Sequence, residues 1–344
     1  MINYGTVKRG ATDCLLSDAG LPRQGAVKAL CFDVQRTAAT IGPVRSLLFV
    51  VNPRSGGRAG AWLLARLRER LTAERGMSID DLALSDLARA VVDRGDKVAI
   101  VACGGDGTAA AVIEACWQVS PMRPVPVGTI PLGTGNDLAR HLGWNPRRGG
   151  LAAHQLDHQI HALQVGALAG LDRWVLTGAG ISQSFYNYLS LGADARISAR
   201  FHTLRRDLPW MFRSPAVNMA IYGLTSLGEP ALRINQLVLG LDVPAWTRAV
   251  VFANIASYAG GTRLSTRIRA DDGWIDGFAL GPGGAMGLAV GGLRRPRRIA
   301  HGAVVRFTLQ APVIVQFDGE PRRLQPGQYT IAHGGRARVI ALPQ

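Results

Sequence analysis

The feature of this sequence that most constrains its fold is a glycine-rich turn between an apolar run and a helical run. The apolar run from Val98 to Ala102 is typical of a buried parallel strand, and the turn continues to Thr108 as CGGDGT. Residues 109–117 combine strong helix formers with helical apolar spacing. Glycines let successive backbone N–H groups face one anion, and a helix N-terminus adds about half a positive charge. The turn is therefore a candidate phosphate site, although an ordinary strand-to-helix turn would use the same residues.

Asp106 is the unusual residue of this turn. A carboxylate beside a phosphate is repulsive unless it holds a metal ion or a hydrogen-bond donor. We therefore interpret Asp106 as part of the chemistry and not of the phosphate cradle. The turn is not the G-x-x-x-x-G-K-[ST] loop, since no Gly-Lys-Ser/Thr tripeptide occurs in the chain.

Two further apolar runs of the first half end in similar turns. Residues 46–51 lead into NPRSGGR at 52–58, and residues 125–130 lead into PLGTGNDLAR at 131–140. Helical patterns separate the three strands, so the sequence predicts an α/β unit with a Rossmann-like, doubly wound parallel sheet that binds a nucleotide. The three turns should gather at the carboxyl edge of that sheet, where such folds bind ligands.

The second half changes character and predicts a mainly antiparallel β-sandwich domain with helical inserts at 197–206 and 217–227. Short strand-like runs separated by Gly, Pro and Asp turns lie at 174–176, 231–239, 249–256, 275–280, 304–309, 313–317 and 329–332. We expect an N-terminal extension at 1–42, a nucleotide-binding catalytic domain at 43–165, a β-rich lipid-substrate domain at 166–335, and a last strand at 336–344 that returns to the first domain. His154, His158 and His161 follow a helical spacing that is more typical of a polar face than of a metal site.

Composition limits the classes of function. The chain has 344 residues, 47% of them hydrophobic, and 39 Lys+Arg against 24 Asp+Glu give a formal net charge of +15. This length allows two domains with a sizeable core. The basic excess fits an anionic partner such as a phosphorylated ligand, an acidic membrane surface or nucleic acid, although a genomic preference for arginine would give the same balance.

Cysteine spacing and hydropathy indicate the compartment. The four cysteines show no C-x-x-C pair and no zinc spacing, so we expect reduced thiols in a cytoplasmic protein. Residues 1–13 lack the apolar centre of a signal peptide, and the longest uncharged run, 277–293, is interrupted by GPGG. We therefore expect peripheral membrane association and no membrane-spanning helix.

Several stretches together resemble the diacylglycerol kinases and their lipid-kinase relatives. In the first half these are NPRSGG at 52–57, GGDGT at 104–108 and PLGTGNDLAR at 131–140. The second half resembles the accessory domain of the same family through FYNYLSLGADA at 185–195, NIASYAGGT at 254–262, DDG at 271–273, RIAHG at 298–302 and QFDGEP at 316–321. The resemblance covers residues 45–335 and implies ATP-dependent, Mg²⁺-assisted transfer of a γ-phosphoryl group to diacylglycerol, giving phosphatidic acid.

The resemblance also implies roles for individual residues. It assigns nucleotide binding to Asn52, Gly104, Gly105, Asp106, Gly107, Thr108, Gly133, Thr134 and Asn136. It implies Asp318 as general base, with Asp106 and Glu320 as further catalytic residues. Magnesium would be organised by Asp137, Asp272 and Glu320, directly or through water, because Mg²⁺ prefers oxygen ligands. For each acid the alternative is a turn cap or a surface charge.

Other functions stay open at this point. Another long-chain lipid alcohol, such as a sphingoid base, ceramide or monoacylglycerol, is an alternative substrate, and a non-catalytic basic membrane-binding protein is an alternative class. We expect a lipid substrate at an anionic membrane surface and no specific nucleic acid, since an aromatic content of 6% offers few stacking platforms. A homodimer is kept open. The apolar run 283–293, followed by RRPRR at 294–298, is either a membrane-facing flap or core beside a solvated charge run.

Overall fold

The computed structural model describes residues 28–32, 45–57, 59–74, 84–133, 135–144, 153–207, 233–281 and 296–342. The elements of the first half are β1 (Lys28–Phe32), β2 (Ser46–Val51), α1 (Ala59–Glu74), α2 (Leu84–Val91), a 3₁₀ turn (Val92–Lys97), β3 (Val98–Gly104), α3 (Asp106–Val119), β4 (Val127–Pro131), α4 (Asp137–His141) and α5 (Ala153–Val165).

Strands β2, β3 and β4 form the predicted parallel sheet. Val51 pairs with Cys103 at the end of β2, and Gly104 pairs with Pro131 at the end of β4. Every residue of β3 is buried, as the uninterrupted apolar run predicts for a central parallel strand covered on both faces. The parallel α/β part of the fold prediction is thus confirmed, and the three turns lie at one edge of the sheet.

The second half consists of β5 (Ala167–Gly178), β6 (Ile181–Phe185), β7 (Tyr188–Gly192), α6 (Ala193–Asp207), α7 (Ile234–Leu237), β8 (Val238–Leu239), β9 (Ala249–Ala253), β10 (Ser257–Tyr258), β11 (Thr262–Arg263), β12 (Ile275–Leu280), β13 (Arg297–Gly302), β14 (Val304–Leu309), β15 (Val313–Phe317), β16 (Glu320–Leu324) and β17 (Gly327–Ala341).

The long strand β17 joins the two halves of the chain. It pairs antiparallel with β5 and β14 over its length, and Val339 near its end pairs parallel with Val127 of β4. The first sheet therefore runs in the order β1-β2-β3-β4-β17-β14-β8, with β5 beside β17 and β6 beside β5. This sheet contains strands from both sides of residues 165 and 335, so the sheet itself does not mark a boundary at either position. The predicted domain limits at 42, 165 and 335 stay a prediction.

A second sheet is antiparallel throughout, in the order β13-β12-β9-β7-β15-β16. One cluster of buried side chains joins the two sheets, with Trp174 and Leu176 from β5 and Phe252 and Val315 from the second sheet. The prediction of an antiparallel, β-rich second half is confirmed. The helix predicted at 197–206 lies within α6, and the one predicted at 217–227 falls outside the described residues.

One local prediction differs from the structure, and a strand within the predicted N-terminal extension was not predicted. The strand predicted at 231–239 is wrong for most of its described part, because Ile234–Leu237 forms one helical turn and only Val238–Leu239 is a strand. No element was predicted for Lys28–Phe32, which pairs antiparallel with β2 as β1. Both segments are too short for periodicity to decide their conformation. No helix within the described ranges has the length and apolar content needed to cross a bilayer.

Candidate active site

The turns after β2, β3 and β4 are bound to one another through their backbones. The N–H group of Asn52 donates to the Cys103 carbonyl oxygen at 3.0 Å, and the N–H group of Leu132 donates to the Gly104 carbonyl oxygen at 2.8 Å. The parallel sheet therefore fixes the spacing of the three turns. Thr134, a predicted nucleotide ligand, lies outside the described residues.

The turns approach so closely that particular positions admit only glycine. A Cβ atom on Gly133 would lie 2.6 Å from the Gly105 Cα atom, and one on Gly104 would lie 2.5 Å from the Thr108 Oγ1 atom. A Cβ atom on Gly56 would lie 2.2 Å from the Leu132 carbonyl oxygen, and Gly56 also has a φ of 63°. The glycines thus serve close backbone approach between the three turns.

Two of the predicted nucleotide ligands have side chains that hold the turns in place. The Asn52 Nδ2 atom donates to the Thr108 Oγ1 atom at 3.2 Å. The Asn136 side chain donates to the Gly133 carbonyl oxygen at 2.6 Å and accepts from the Gly133 N–H group at 2.9 Å. Asn136 has a φ of 51°, a left-handed conformation that asparagine tolerates. These amides therefore order the edge that would receive a ligand.

The N-terminus of α3 presents backbone donors that suit an anion. Gly105 is the residue before the helix, and the first backbone bond of the helix is from Ala109 N–H to the Gly105 carbonyl oxygen, 3.1 Å long. The N–H groups of residues 105–108 consequently have no partner inside the helix. Together with the helix dipole they form a site suited to phosphate.

Asp106 connects this turn to the turn after β4. Its Oδ2 atom accepts from Asp137 N–H at 3.1 Å, and its Oδ1 atom accepts from Leu138 N–H at 3.0 Å. The carboxylate therefore caps α4. Burial, with a further contribution from the charge of Asp137, raises the pKa of Asp106 well above its usual range.

Asp137 connects the two halves of the chain. Its side chain is fully buried, and its carboxylate accepts from Ser257 Oγ at 2.6 Å, from the Gly260 N–H group at 3.1 Å and from the Tyr188 hydroxyl at 3.2 Å. The Nη1 atom of Arg140 lies 4.0 Å away. Since these donors already use the carboxylate, the structure gives Asp137 a structural anchor role, and its role toward magnesium stays a prediction.

Asp318 lies in the turn between β15 and β16, with a φ of 50°. Its buried carboxylate accepts from three consecutive N–H groups, those of Tyr186 at 2.9 Å, Asn187 at 2.7 Å and Tyr188 at 3.1 Å. Burial raises the pKa of Asp318 to about 6, although the three N–H groups lower it. An acid of this pKa is mostly ionised at pH 7 and can still accept a proton, which suits a general base.

Glu320, the predicted acid furthest along the chain, lies beside the glycine turn. It is the exposed first residue of β16, and a Cβ atom on Gly107 would lie 3.0 Å from the Glu320 Oε1 atom. Asp318, two residues earlier, is close enough for its charge to raise the pKa of Asp106. Acids from the C-terminal part and the early glycine turn therefore meet in one place, as the predicted site requires.

Asp272 is not joined to this group. It is exposed, and its Oδ1 atom accepts from Trp274 N–H at 2.9 Å, the geometry of an aspartate that caps its own turn. No hydrogen bond or ion pair within the described ranges links it to the acids of the site. Its role toward magnesium stays a prediction, and in the same ranges no three His, Cys, Asp or Glu side chains group as a metal site.

Sequence reasoning missed the residues that hold the acids. Asp318 accepts hydrogen bonds from the backbone N–H groups of Tyr186, Asn187 and Tyr188, which lie about 130 positions away from it in the chain. The stretch 185–195 carried family resemblance, but nothing in its pattern indicates a carboxylate partner. Both polar atoms of the buried Asn187 amide lack a hydrogen-bond partner among the described residues.

Comparison with known proteins gives a consistent result. Residues 46–168 match the model of the diacylglycerol kinase catalytic domain, and residues 184–321 match that of the diacylglycerol kinase accessory domain. The chain is 30% identical over 329 residues to diacylglycerol kinase 1 of Arabidopsis thaliana, covering 86% of this chain and 44% of that protein. It is 28% identical over 336 residues to diacylglycerol kinase zeta of Homo sapiens, covering 86% of this chain and 36% of that protein. The chain thus spans less than half the length of these two relatives.

A solved structure shares the fold. It is that of a Bacillus anthracis str. Sterne protein assigned as a diacylglycerol kinase, with a TM-score of 0.55 and 17% sequence identity. The match covers 89% of this chain and 99% of that one. At this identity the likeness concerns the fold alone.

Proposed function

Because this chain belongs to the diacylglycerol kinase family, we propose that it transfers the γ-phosphoryl group of ATP to the hydroxyl group of diacylglycerol, giving phosphatidic acid. The observation that carries the proposal is the meeting of Glu320 with Gly107 at the start of α3, with the buried Asp318 beside them. A base and a phosphate-binding turn in one place are what transfer to an alcohol requires.

Nucleotide binding is proposed for the edge of the parallel sheet. The N–H groups of residues 105–108 would hold phosphate oxygens, and the backbone around Gly133 would close the other side. We also propose that the first half works as a Rossmann-like, doubly wound unit and the second half as a sandwich that carries the lipid. The close approach of Gly133 to Gly105 supports the proposed nucleotide site, since a wider gap between the two turns would separate their backbone N–H donors.

Asp318 is the proposed general base. Its carboxylate would take the proton of the lipid hydroxyl while that oxygen forms a bond to the γ-phosphorus and the bond to the β–γ bridging oxygen breaks, with ADP as the leaving group. Its raised pKa, about 6, fits this role. The three N–H groups that hold the carboxylate would keep it aligned with the acceptor.

Magnesium is proposed on the donor set that the site offers. Mg²⁺ in such enzymes is usually held by one or two carboxylates together with substrate phosphates, and it neutralises phosphate charge. The exposed carboxylate of Glu320 beside the α3 N-terminus fits that pattern. Asp137 fits it only through water, because its oxygens already accept from Tyr188, Ser257 and Gly260.

We further propose that the enzyme works in the cytoplasm at an anionic membrane surface, without specific nucleic-acid binding, and that it forms a homodimer, which light scattering would detect. The net charge of +15 supports attraction to an anionic surface, at roughly 1 kcal/mol for each basic residue near it. The apolar run at 283–293, for which a membrane-facing flap and core packing were both kept open, lies outside the described residues.

The test is transfer of ³²P from labelled ATP into mixed micelles that contain diacylglycerol, sphingosine, ceramide and monoacylglycerol. We expect chromatography to place the label in phosphatidic acid, and we expect chelation of Mg²⁺ with EDTA to abolish transfer until excess Mg²⁺ is restored. Label in another product would assign the alternative substrate. An absence of label with intact binding to anionic liposomes would contradict the enzyme and favour the non-catalytic alternative.

The pKa of Asp318 predicts a pH dependence. A base must be ionised, so kcat should fall about tenfold for each pH unit below about 6 and level off above 7. Rates at saturating ATP between pH 4.5 and 8.5 would check this. A terminal phosphate also titrates near pH 6, so the native profile alone does not identify the titrating group. The profile of Asp318→Asn does, because this variant should lose the fall in kcat at low pH that is due to Asp318.

Stability gives an independent check of the same pKa. The pKa of Asp318 in the folded protein, about 6, lies above its ordinary value of 3.8, so the folded state binds more protons than the unfolded state between these values. This contribution to stability is fully present below pH about 4 and is lost as pH rises through 6. The melting temperature of the native protein relative to Asp318→Asn should therefore fall from pH 4 to 7, and a flat difference would contradict the raised pKa.

A further inference from the structure

We infer that Tyr186 is a positioning residue of the proposed reaction: its hydroxyl group is held by Glu114 of α3, and its backbone N–H group holds Asp318. The inference rests on the proposed function, in which Asp318 acts on a phosphate bound at the start of the same helix. Nothing in the family match assigns a role to Glu114, Arg173 or Tyr186.

Glu114 is the fixed point of this arrangement. Its Oε2 and Oε1 atoms accept from the Nε and Nη2 atoms of Arg173 at 2.8 and 2.7 Å, and Oε2 also accepts from the Tyr186 hydroxyl at 2.7 Å. Gln118 donates to Oε1 at 3.0 Å. Burial alone would raise the pKa of Glu114, but the bonds from Arg173 and Tyr186 hold it below its usual value, so the carboxylate stays ionised.

Arg173 is itself held in one orientation. Its guanidinium lies 4.0 Å from the ring centroid of Trp117, one helical turn after Glu114 on α3. Gly335 of β17 admits that ring, since a Cβ atom there would lie 2.8 Å from the Trp117 Nε1 atom. The cluster thus binds α3 to β5 and β17, the long strands of the second half.

Tyr186 connects α3 to the proposed base, Asp318. It is 1% exposed, its N–H group donates to the Asp318 Oδ2 atom at 2.9 Å, and its carbonyl oxygen accepts from Asn254 Nδ2 at 2.7 Å. Burial raises the pKa of Tyr186 well above its usual value, so its hydroxyl remains a donor. One residue is therefore bonded both to the helix that begins with the glycine turn and to the proposed base.

The length of α3 explains why this connection matters for catalysis. Glu114 lies eight residues after Asp106, about 12 Å along a rigid helix at 1.5 Å per residue. The position of Asp318 is thus set relative to the phosphate turn through the helix and through Tyr186. Since a misplacement of about 1 Å can cost about 10²-fold in rate, loss of this connection should reduce turnover without altering the nucleotide turn.

The test compares two variants that each remove one tyrosine hydroxyl. Tyr186→Phe removes the bond to Glu114, and we expect kcat to fall about tenfold or more while KM for ATP changes less than twofold. Tyr329→Phe is the matched control, because the Tyr329 hydroxyl, also on a buried ring, donates to the Gln325 carbonyl oxygen at 2.7 Å in a strand turn. We expect that control to lower the melting temperature and to retain the native kcat.

A second variant covers the case in which Tyr186→Phe does not fold. Glu114→Gln keeps the size of the side chain but removes its charge, and the same split between kcat and KM is expected. If both folded variants keep kcat within twofold of an active native protein, the inference is wrong and the proposed function stands. Equal loss of kcat in the Tyr329→Phe control would also overturn it. A native protein inactive on every lipid would overturn both.

Discussion

Replacing Asp318 with asparagine should lower kcat by about 10²- to 10⁴-fold, the usual contribution of a general base. Asparagine keeps the size and shape of the side chain but cannot accept the proton of the lipid hydroxyl at neutral pH. The effect should appear in kcat measured at saturating ATP and lipid, while binding of ATP itself, measured by calorimetry, should change less than twofold. The base acts on the acceptor and not on the nucleotide.

The same substitution has a structural cost that must be separated from the chemical one. Asp318 accepts from the N–H groups of Tyr186, Asn187 and Tyr188 with both oxygens, and an amide offers only one. One buried N–H group would then face another donor, at a cost of about 1–3 kcal/mol of folding free energy. Circular dichroism and the melting temperature would report it.

A control variant distinguishes these costs. Asp276 is another buried carboxylate, which accepts from Arg298 Nη1 at 3.1 Å and lies 3.0 Å from the His301 Nδ1 atom. Asp276→Asn should lower stability and leave kcat near the native value. If Asp318→Asn is folded and its kcat lies within threefold of native, Asp318 is not the base and the mechanism proposed here fails.

The fold was largely predictable where local pattern and long-range contacts agree. Strand β2 was predicted with its observed bounds, and β3 was predicted two residues short, because a continuous apolar run predicts a buried parallel strand almost by itself. The segments at 28–32 and 234–239 were not predictable in this way. Their conformations depend on a neighbour, which for β1 is the edge of β2.

In the candidate site, too, residues with a local sequence signal were predicted and those defined by long-range contacts were missed. The glycine turns were found from their own composition, and the acids at 318 and 320 were found by resemblance. The partners of Asp137 and Asp318 were missed because hydrogen bonds between residues 51 to 132 positions apart leave no local trace. Asp137 shows the consequence: the resemblance implies a role toward magnesium, which stays a prediction, whereas its hydrogen bonds to the 257–260 turn were not predicted.

Gly133→Ala should lower kcat/KM for ATP by about 10²-fold. A methyl group at this position would lie 2.6 Å from the Gly105 Cα atom and 2.8 Å from the Asn136 Oδ1 atom. The first contact is between the methyl group and a backbone atom, so it cannot be relieved by rotating a side chain, and the turns after β3 and β4 must separate. A shift of up to about 1 Å would move one set of phosphate donors away from the other, and such a shift can cost about 10²-fold.

The backbone of Gly133 does not require a left-handed conformation, so the predicted loss tests close approach alone. Gly180→Ala is the matched control, because Gly180 has a φ of 78° and no atom within 4 Å of an added Cβ. That variant should lose stability through backbone strain of about 1–2 kcal/mol and keep its kcat/KM. Initial rates over a range of ATP concentrations would compare the two. Native kcat/KM in a folded Gly133→Ala protein would mean that the binding of ATP does not depend on the close approach of the two turns. The nucleotide would then have to bind elsewhere.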